Sequence, residues 1–477
     1  MATNLTNPKL SLREKMGYGF GDAASSMFWK LFSMYLMFFY TDIFGIPAAV
    51  VGTMFLITRI WDAAFDPFVG MLADRTETRW GKFRPYLVWM MIPFGIIGVI
   101  TFTTPSLGLT GKIIYAYVTY SLMMMIYSMI NVPYASLLGV MSADGKERTT
   151  LATYRFIFAF GGSLLVLAAA EPLVDIFSRL GKNGINLALG WQLAAVVFAM
   201  VAILFFWFTF SWTRENIKPI IKRNALRLDL KDLFRNKPWF ILLGAGIAAI
   251  FFNSIRDGAA IYYFKYYIQG QSAFTINAFK LTITLSSLYF VLGQAANIAG
   301  VVIAKPLSDR IGKRSTFLMA MTLASLFSLC FYWINKEHVT AIFIFQFLIS
   351  TCAGIIMPLL WAMYADTADY SEWRTGRRAT GLVFSASSMS QKFGWTIGGA
   401  LAGWLLGYYG FHANVEQTPE VQTGIRMMLS FIPAVGTALS VFFIFLYPLS
   451  EKLMVKIEGE LADRRLIARK DEVDYPE

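Results

Sequence analysis

Residues 70–84 read Gly-Met-Leu-Ala-Asp-Arg-Thr-Glu-Thr-Arg-Trp-Gly-Lys-Phe-Arg, and residues 306–314 read Pro-Leu-Ser-Asp-Arg-Ile-Gly-Lys-Arg. Each is a polar island between two apolar blocks: an acidic residue and an arginine, then glycine and further basic residues. A lone charge run reads as a solvated turn. Two copies in register, after the second and the eighth apolar block, mark an internal repeat. The chain is therefore two halves of six blocks each, and the repeated turn can pair with neighbouring helix ends.

The blocks flanking these turns have the length that crosses a hydrocarbon core of about 30 Å. Their expected spans are 17–43, 48–72, 83–103, 112–140, 151–173, 189–211, 239–268, 280–304, 314–334, 339–365, 380–408 and 423–448. The composition agrees: 56% of the 477 residues are hydrophobic and 15% charged, against about a quarter charged in soluble chains. In lipid every backbone polar group must be bonded within its own segment, so continuous apolar runs are helices, and the lack of alternation excludes a β-barrel. The fold class expected is an all-α membrane protein of twelve helices in two pseudo-symmetric halves. Its parts are an N-terminal half (1–211), a central loop (212–238), a C-terminal half (239–450) and a tail (451–477).

The net charge of +12 invites a nucleic-acid reading, but the basic residues alternate with the spans instead of forming a stripe. Arg75, Arg79, Lys82, Arg84, Lys146, Arg148, Lys305, Arg310, Lys313, Arg314, Arg374, Arg377 and Arg378 lie in connections on one side. The 213–238 connection adds eight more there. This is the positive-inside pattern, and it predicts cytoplasmic termini in a cell (inner) membrane. Nucleic acid is not an expected partner, and the chain is expected to be a monomer in the bilayer. Cys330 and Cys352 lie inside apolar blocks and read as small packed hydrophobes. No cleaved signal peptide is visible, so the first span is expected to act as the insertion signal. The acidic and basic tail from Glu451 reads as a short solvated helix.

Charges at membrane depth cost several kcal/mol each and face a bundle interior or a pathway. The second span carries Arg59, Asp62 and Asp66, with the two acids one turn apart on one face. They repel unless a cation or a basic side chain intervenes; Arg59 in sequence and Lys392 in the eleventh span are candidates. The first span carries Asp22 and Lys30. The fourth carries Tyr127, Ser128, Asn131 and Tyr134, suited to a hydroxylated ligand that needs many hydrogen bonds and an aromatic face. In the seventh, Arg256 and Asp257 are adjacent, point about 100° apart and so cannot serve one partner helix. No Ser/His or HExxH arrangement occurs within the spans, which argues against an enzyme.

The repeated turn resembles the loop signature of the major facilitator superfamily, with Lys305 standing where that pattern has Gly. Across the whole chain, Gly17-Tyr-Gly-Phe-Gly21, Tyr40-Thr41-Asp42, Arg59-Ile-Trp-Asp62, Asp66-Pro67, Arg79 to Pro85, Asn131-Val-Pro133, Arg155, Asp366 to Glu372 and Lys392 resemble the glycoside–pentoside–hexuronide:cation symporters. The resemblance implies import of a sugar, glycoside or uronide by symport with H⁺ or Na⁺ through alternating access, with no other cofactor. It assigns Asp62, Asp66 and Ser128 to the cation site, with Lys392 close by and linking it to sugar binding; Arg59 joins the cation-coupling candidates from its place one turn before Asp62. Tyr127, Asn131 and Arg155 are assigned to the sugar site. Ser25 and Ser26 stand where the melibiose permease has a Lys-Asp pair; Ser26, with Asp22 one turn earlier, joins the substrate-binding candidates. Asn131 and Ala135 replace an acid and a Trp of that permease, which argues against melibiose-type galactosides. Phe65 replaces an amide between the paired acids, which removes a Na⁺ ligand and tilts the coupling toward H⁺. The alternatives are a lysolipid or other amphiphile transporter on the same fold, and a membrane sensor that does not transport.

Overall fold

The computed structural model describes residues 10–142, 145–181, 184–216, 235–269, 272–276, 281–376, 380–457, 459–461 and 463. Most of the central basic connection, Lys182, Arg377, Arg378 and the end of the tail lie outside the described residues. The helices are α1 (Leu12–Leu31), α2 (Ala48–Arg75), α3 (Arg84–Thr101), α4 (Leu109–Met141), α5 (Gly145–Ser178), α6 (Leu187–Trp212) and α7 (Lys237–Tyr262). After a hairpin of β1 (Ser272–Ile276) and β2 (Leu281–Thr284) come α8 (Leu285–Ile311), α9 (Lys313–Phe331), α10 (Val339–Thr375), α11 (Thr380–Tyr408), α12 (Pro419–Leu429) and α13 (Phe431–Phe445).

Ten helical stretches among the described residues are long and apolar enough to cross a membrane, α12 and α13 together making one of them. Two more, α1 with its continuation and α11, have the length but carry more polar side chains, which is consistent with the twelve expected. The hairpin was not foreseen: the eighth span begins at Leu285 rather than 280, because residues 281–284, three of them β-branched, pair with residues 272–276. α10 runs to Thr375, ten residues past its expected end, where Gly376 at φ +72° closes it.

The end of α1 continues as π-helical segments, Phe32–Leu36 and Phe39–Ile43, and α7 continues the same way through Tyr263–Ile268. The first helix of each half thus ends in a widened turn, a feature frequent at functional sites.

The chain divides into two compact units. One comprises residues 1–221, 257–294 and 399–426; the other comprises 222–256, 295–398 and 427–477. In the first, α1 packs on α5 and α6, α3 on α6 and α4, and α2 on α4. Here α2 also meets the end of α11 backbone to backbone: a Cβ on Gly52 would stand 2.6 Å from the Ala400 carbonyl, and one on Gly403 2.6 Å from that of Ala48. Small residues let membrane helices approach this closely. In the second unit, Trp239, Leu242, Phe317, Met321, Leu360, Tyr364, Ile444 and Tyr447 form the core. Met454, Ile457 and Leu461 join it, so the segment after Glu451 is not merely solvated: one face of it is core. Cys352 is buried, whereas Cys330 is exposed, so the packed reading holds for only one of the two.

The repeated turns are built alike beyond their sequences. Gly81 takes φ +107°, and the backbone amides of Lys82, Phe83 and Arg84 donate to the Glu215 carboxylate at 2.8–2.9 Å. In the other half Gly312 takes φ +85°, and the amide of Lys313 donates to Glu451 at 2.7 Å. Each acid follows the sixth helix of its half and caps the N-terminus of the third, where the helix dipole favours an anion. A Cβ on Gly81 would lie 2.4 Å from Glu215, so only glycine fits that turn. Glu215→Ala, which strands three amides, is expected to lower stability by about 2 kcal/mol. Thermal melting in detergent would show it, and Gly81→Ala should act in the same direction. An unchanged melting temperature for Glu215→Ala would rule out the latch.

Candidate functional site

The site belongs to the first unit and begins with α2. Asp62 and Asp66 lie one turn apart, and Pro67 removes the amide that would serve the carbonyl of Ala63. From α4, the Ser128 hydroxyl oxygen stands 2.6 Å from Asp62 Oδ1 and also 2.6 Å from Asp66 Oδ1. Ser128 and Asp62 are almost fully buried. A hydroxyl has one hydrogen to donate, so it satisfies one carboxylate. The second contact, at equal length, becomes favourable when the other carboxyl carries a proton to donate back, or when a cation shares the oxygens. Ser128 thus links the two carboxylates across α2 and α4.

Arg59 does not ion-pair with these acids among the described residues. Its guanidinium lies over the Trp29 ring, 4.3 Å from the centroid, and Nη1 is buried without a hydrogen-bond acceptor. Trp29 in turn meets Tyr127, with ring centroids 5.9 Å apart.

Two of the expected sugar ligands are engaged with each other: Arg155 Nε donates to Asp22 Oδ2 at 2.8 Å, tying α5 to α1. The Tyr134 ring lies 5.5 Å beneath Arg155, and its hydroxyl donates to the Tyr18 carbonyl at 2.6 Å. The Asn131 amide nitrogen donates to the Tyr127 carbonyl of its own helix at 3.0 Å. Ser25 is buried and bonds the Gly21 carbonyl, while Ser26 is half-buried. Lys392 sits in the part of α11 that belongs to the second unit. Arg256 and Asp257 part ways as their spacing requires. Arg256 donates to the Leu429 carbonyl and to Gln346 within the second unit, whereas Asp257, in the first, lies 3.4 Å from Lys30.

Two polar clusters went unrecognised in the sequence. Asp42, with its side chain fully buried, accepts from Lys265 at 2.6 Å, from Thr41 at 2.7 Å and from Tyr266. Asn414 Nδ2 donates to the Asp42 carbonyl at 2.6 Å, and Thr41 meets the Tyr262 hydroxyl at 2.8 Å. This knot joins the π-helical ends of α1 and α7 to the connection after α11. Glu171 of α5 accepts from Ser286 at 2.6 Å, from Tyr35 at 3.3 Å and from Thr284. A carboxyl inside an apolar run was the available signal for Glu171. For Asp42 there was only its presence in a motif.

Residues 17–451 match the family model described as MFS/sugar transport protein. The inner membrane symporter YicJ of Escherichia coli K12 is 38% identical, over 90% of this chain and 90% of its own. The isoprimeverose transporter of Lactiplantibacillus pentosus is 36% identical over 95% and 93%, and the glucuronide carrier protein homolog of E. coli K12 is 32% identical over 97% and 98%. Among solved structures, the nucleoside transporter NupG superposes with TM-score 0.59 at 13% identity, covering 92% of this chain and 100% of its own. A bacterial homologue of the human peptide transporters PepT1 and PepT2 superposes with TM-score 0.64 at 9% identity, covering 92% and 99%. These two likenesses establish the fold.

Proposed function

The chain belongs to the MFS/sugar transport protein family, as a glycoside–pentoside–hexuronide:cation symporter, and on that premise we propose that it imports a small glycoside or pentoside together with one proton. The observation that carries the cation half is the Ser128 hydroxyl held at 2.6 Å from both Asp62 and Asp66. A proton on one carboxyl lets that group donate back to the Ser128 oxygen, and Phe65 offers no oxygen between the acids. The relatives support the sugar half: one is named an isoprimeverose transporter, another a glucuronide carrier homolog.

Transport on this reading is alternating access about a central site. The Asp42–Lys265–Tyr266–Asn414 knot and the Glu171 cluster act as closures at the outward end, and the basic connections lie on the cytoplasmic side. Cation occupancy at Asp62 and Asp66 favours the form that binds sugar, and linkage makes sugar favour the cation equally.

Purified protein in proteoliposomes, loaded with labelled isoprimeverose and simple glycosides in counterflow, tests this directly. An inward proton gradient is expected to drive accumulation at zero sodium gradient. Accumulation driven by sodium alone would replace the proton. Absence of both uptake and exchange across the sugar panel would overturn the transport reading in favour of a sensor or an amphiphile carrier.

A further inference from the structure

We propose that Glu171 is a second proton-binding site: its carboxyl takes a proton from the outer side as the outward end closes and returns it there on reopening. The proposal rests on the alternating-access reading and concerns a proton that is not carried across.

Glu171 is half-buried on α5 and meets hydroxyls from two directions. Tyr35, on the π-helical continuation of α1, donates to Oε1 at 3.3 Å. Ser286 at 2.6 Å and Thr284 both reach Oε2, and these two hydroxyl oxygens lie 3.1 Å from each other. The backbone amide of Ser287 donates to the Thr284 hydroxyl oxygen at 3.1 Å, and the Ser287 hydroxyl donates to the Leu167 carbonyl at 2.9 Å. The start of α8 is thereby fastened to one turn of α5.

Glu171 Oε2, Ser286 Oγ and Thr284 Oγ1 form a triangle with three contacts. Each hydroxyl has one hydrogen to give. With the carboxyl ionised, two hydrogens serve three contacts. If both point at the carboxylate, the two hydroxyl oxygens face each other with none between them. If one turns to its neighbour, a contact with the carboxylate is left bare. A proton on Oε2 supplies the third hydrogen: Glu171 donates to Ser286, Ser286 to Thr284, and Thr284 to Glu171. Thr284 then accepts from Ser286 and from the Ser287 amide, which uses both lone pairs of its oxygen. The neutral carboxyl completes the ring, and the charged one does not.

Charge gives the same answer. The elements packed on α5 are α1, α4, α6 and β2. α6 and β2 contain no charged residue, and Lys112, the one on α4, donates to the Phe44 carbonyl at 2.8 Å. Beyond the first turn of α1, Asp22 is engaged by Arg155, Lys30 by Asp257, and Asp42 of the continuation by Lys265. On α5 itself, Asp175 is held by Arg179 at 2.6 Å. The charged residues of α8, from Lys305 onward, lie at its other end. No basic side chain among the described residues therefore offsets Glu171, whose partners are hydroxyls. Enclosing a carboxylate in this way costs more than enclosing the neutral acid. In the open form water reaches the carboxyl, which is then ionised at neutral pH. Closure thus binds a proton, and by linkage acid conditions favour the closed end.

The test uses the full-length protein in nanodiscs, with Cys330→Ser and Cys352→Ser to remove the native thiols. Ser287→Cys is the reporter, since Ser287 is buried against α5 in the closed form. Labelling by a water-soluble maleimide is compared with and without Glu171→Gln, whose amide offers a donor and an acceptor but cannot ionise. The ratio of the two rates, parent over Glu171→Gln, cancels the thiol's own titration. It is expected to be near one at mildly acidic pH and to rise at least fivefold at mildly alkaline pH. A ratio that does not change with pH overturns the proposal. In proteoliposomes Glu171→Gln, with Ser287 restored, should reach the native accumulation ratio under a proton gradient, because the gate proton does not cross. Loss of accumulation would make Glu171 a carrier of the coupled proton and equally overturn it. Should Glu171→Gln not reach the membrane, Ser286→Ala decides. It opens the ring, so its labelling rate relative to the parent should fall by half or more from acidic to alkaline pH, and a constant ratio sinks the proposal. A native protein that transports no sugar sinks the transport reading, and the labelling ratio still decides for or against the Glu171 proton.

Discussion

Asp62→Asn is expected to abolish gradient-driven accumulation of sugar while sugar-for-sugar exchange continues. A gradient equivalent to 100 mV supplies about 2.3 kcal/mol per charge carried. That corresponds to an accumulation of roughly fiftyfold at 1.4 kcal/mol per decade. The variant leaves an amide that accepts from Ser128 in nearly the same shape but can no longer take up and release a proton. With no cation moving, the sugar ratio should settle at about one. Exchange needs only the loaded carrier to reorient, so it should persist. Asp66→Asn should behave alike because the two acids share one hydroxyl, 2.6 Å from each. Ser128→Ala removes that bridge and should weaken cation activation without abolishing it. The checking measurement is the steady-state ratio of labelled sugar in proteoliposomes under an imposed proton gradient, beside counterflow without one. Normal accumulation by Asp62→Asn would show that the coupling charge is carried elsewhere.

The second large effect is at Asp42. Its carboxylate is fully buried, and Lys265, Thr41 and Tyr266 all donate to it. Removing the carboxylate leaves three donors without their acceptor, while Lys265, one-third exposed, keeps Asn414 at 2.8 Å, so the cost is about 1–3 kcal/mol. On the alternating-access reading that cost falls on the closed outward end. Asp42→Ala is therefore expected to cut net uptake at least tenfold at normal membrane level, with sugar binding retained. Adding Lys265→Met removes one of those donors and should recover part of the loss. Uptake rates and ligand binding measured on the two single variants and the double variant give the coupling between the residues. Native uptake by Asp42→Ala would eliminate the knot as a closure.

Much of the site was legible because a charge inside an apolar run is conspicuous. Asp62 and Asp66 stand on one face by helical period alone, and Arg256 and Asp257 were bound to part company by the same rule. What period does not reveal is the partner helix. Arg59, one turn from Asp62, was expected beside the acids, yet it stacks on Trp29, a ring on another helix. Asp22 and Arg155, 133 residues apart, were both read as sugar ligands, and only the structure shows that they hold each other. Asp42 sat in a motif without a role, since Lys265, Tyr266 and Asn414 reach it only through the π-helical ends of α1 and α7. The segment after Glu451 read as solvated because its charges dominate, while the three side chains that enter the core show only as a spaced apolar face.

By itself the sequence determined the solvent, the helices and the two-half repeat, since those follow from the length of apolar runs and from charges that lipid will not admit. It also determined that the repeated turns at 70–84 and 306–314 are structural devices. Only the tertiary structure decided what each device holds: Glu215 in one half and Glu451 in the other, each returning from the far end of its six helices to cap the turn. The reason is the range of the forces. Propensity and hydropathy act within a helix, whereas a hydroxyl shared by two acids, or a lysine paired with an aspartate 227 residues away, exists only once helices are packed.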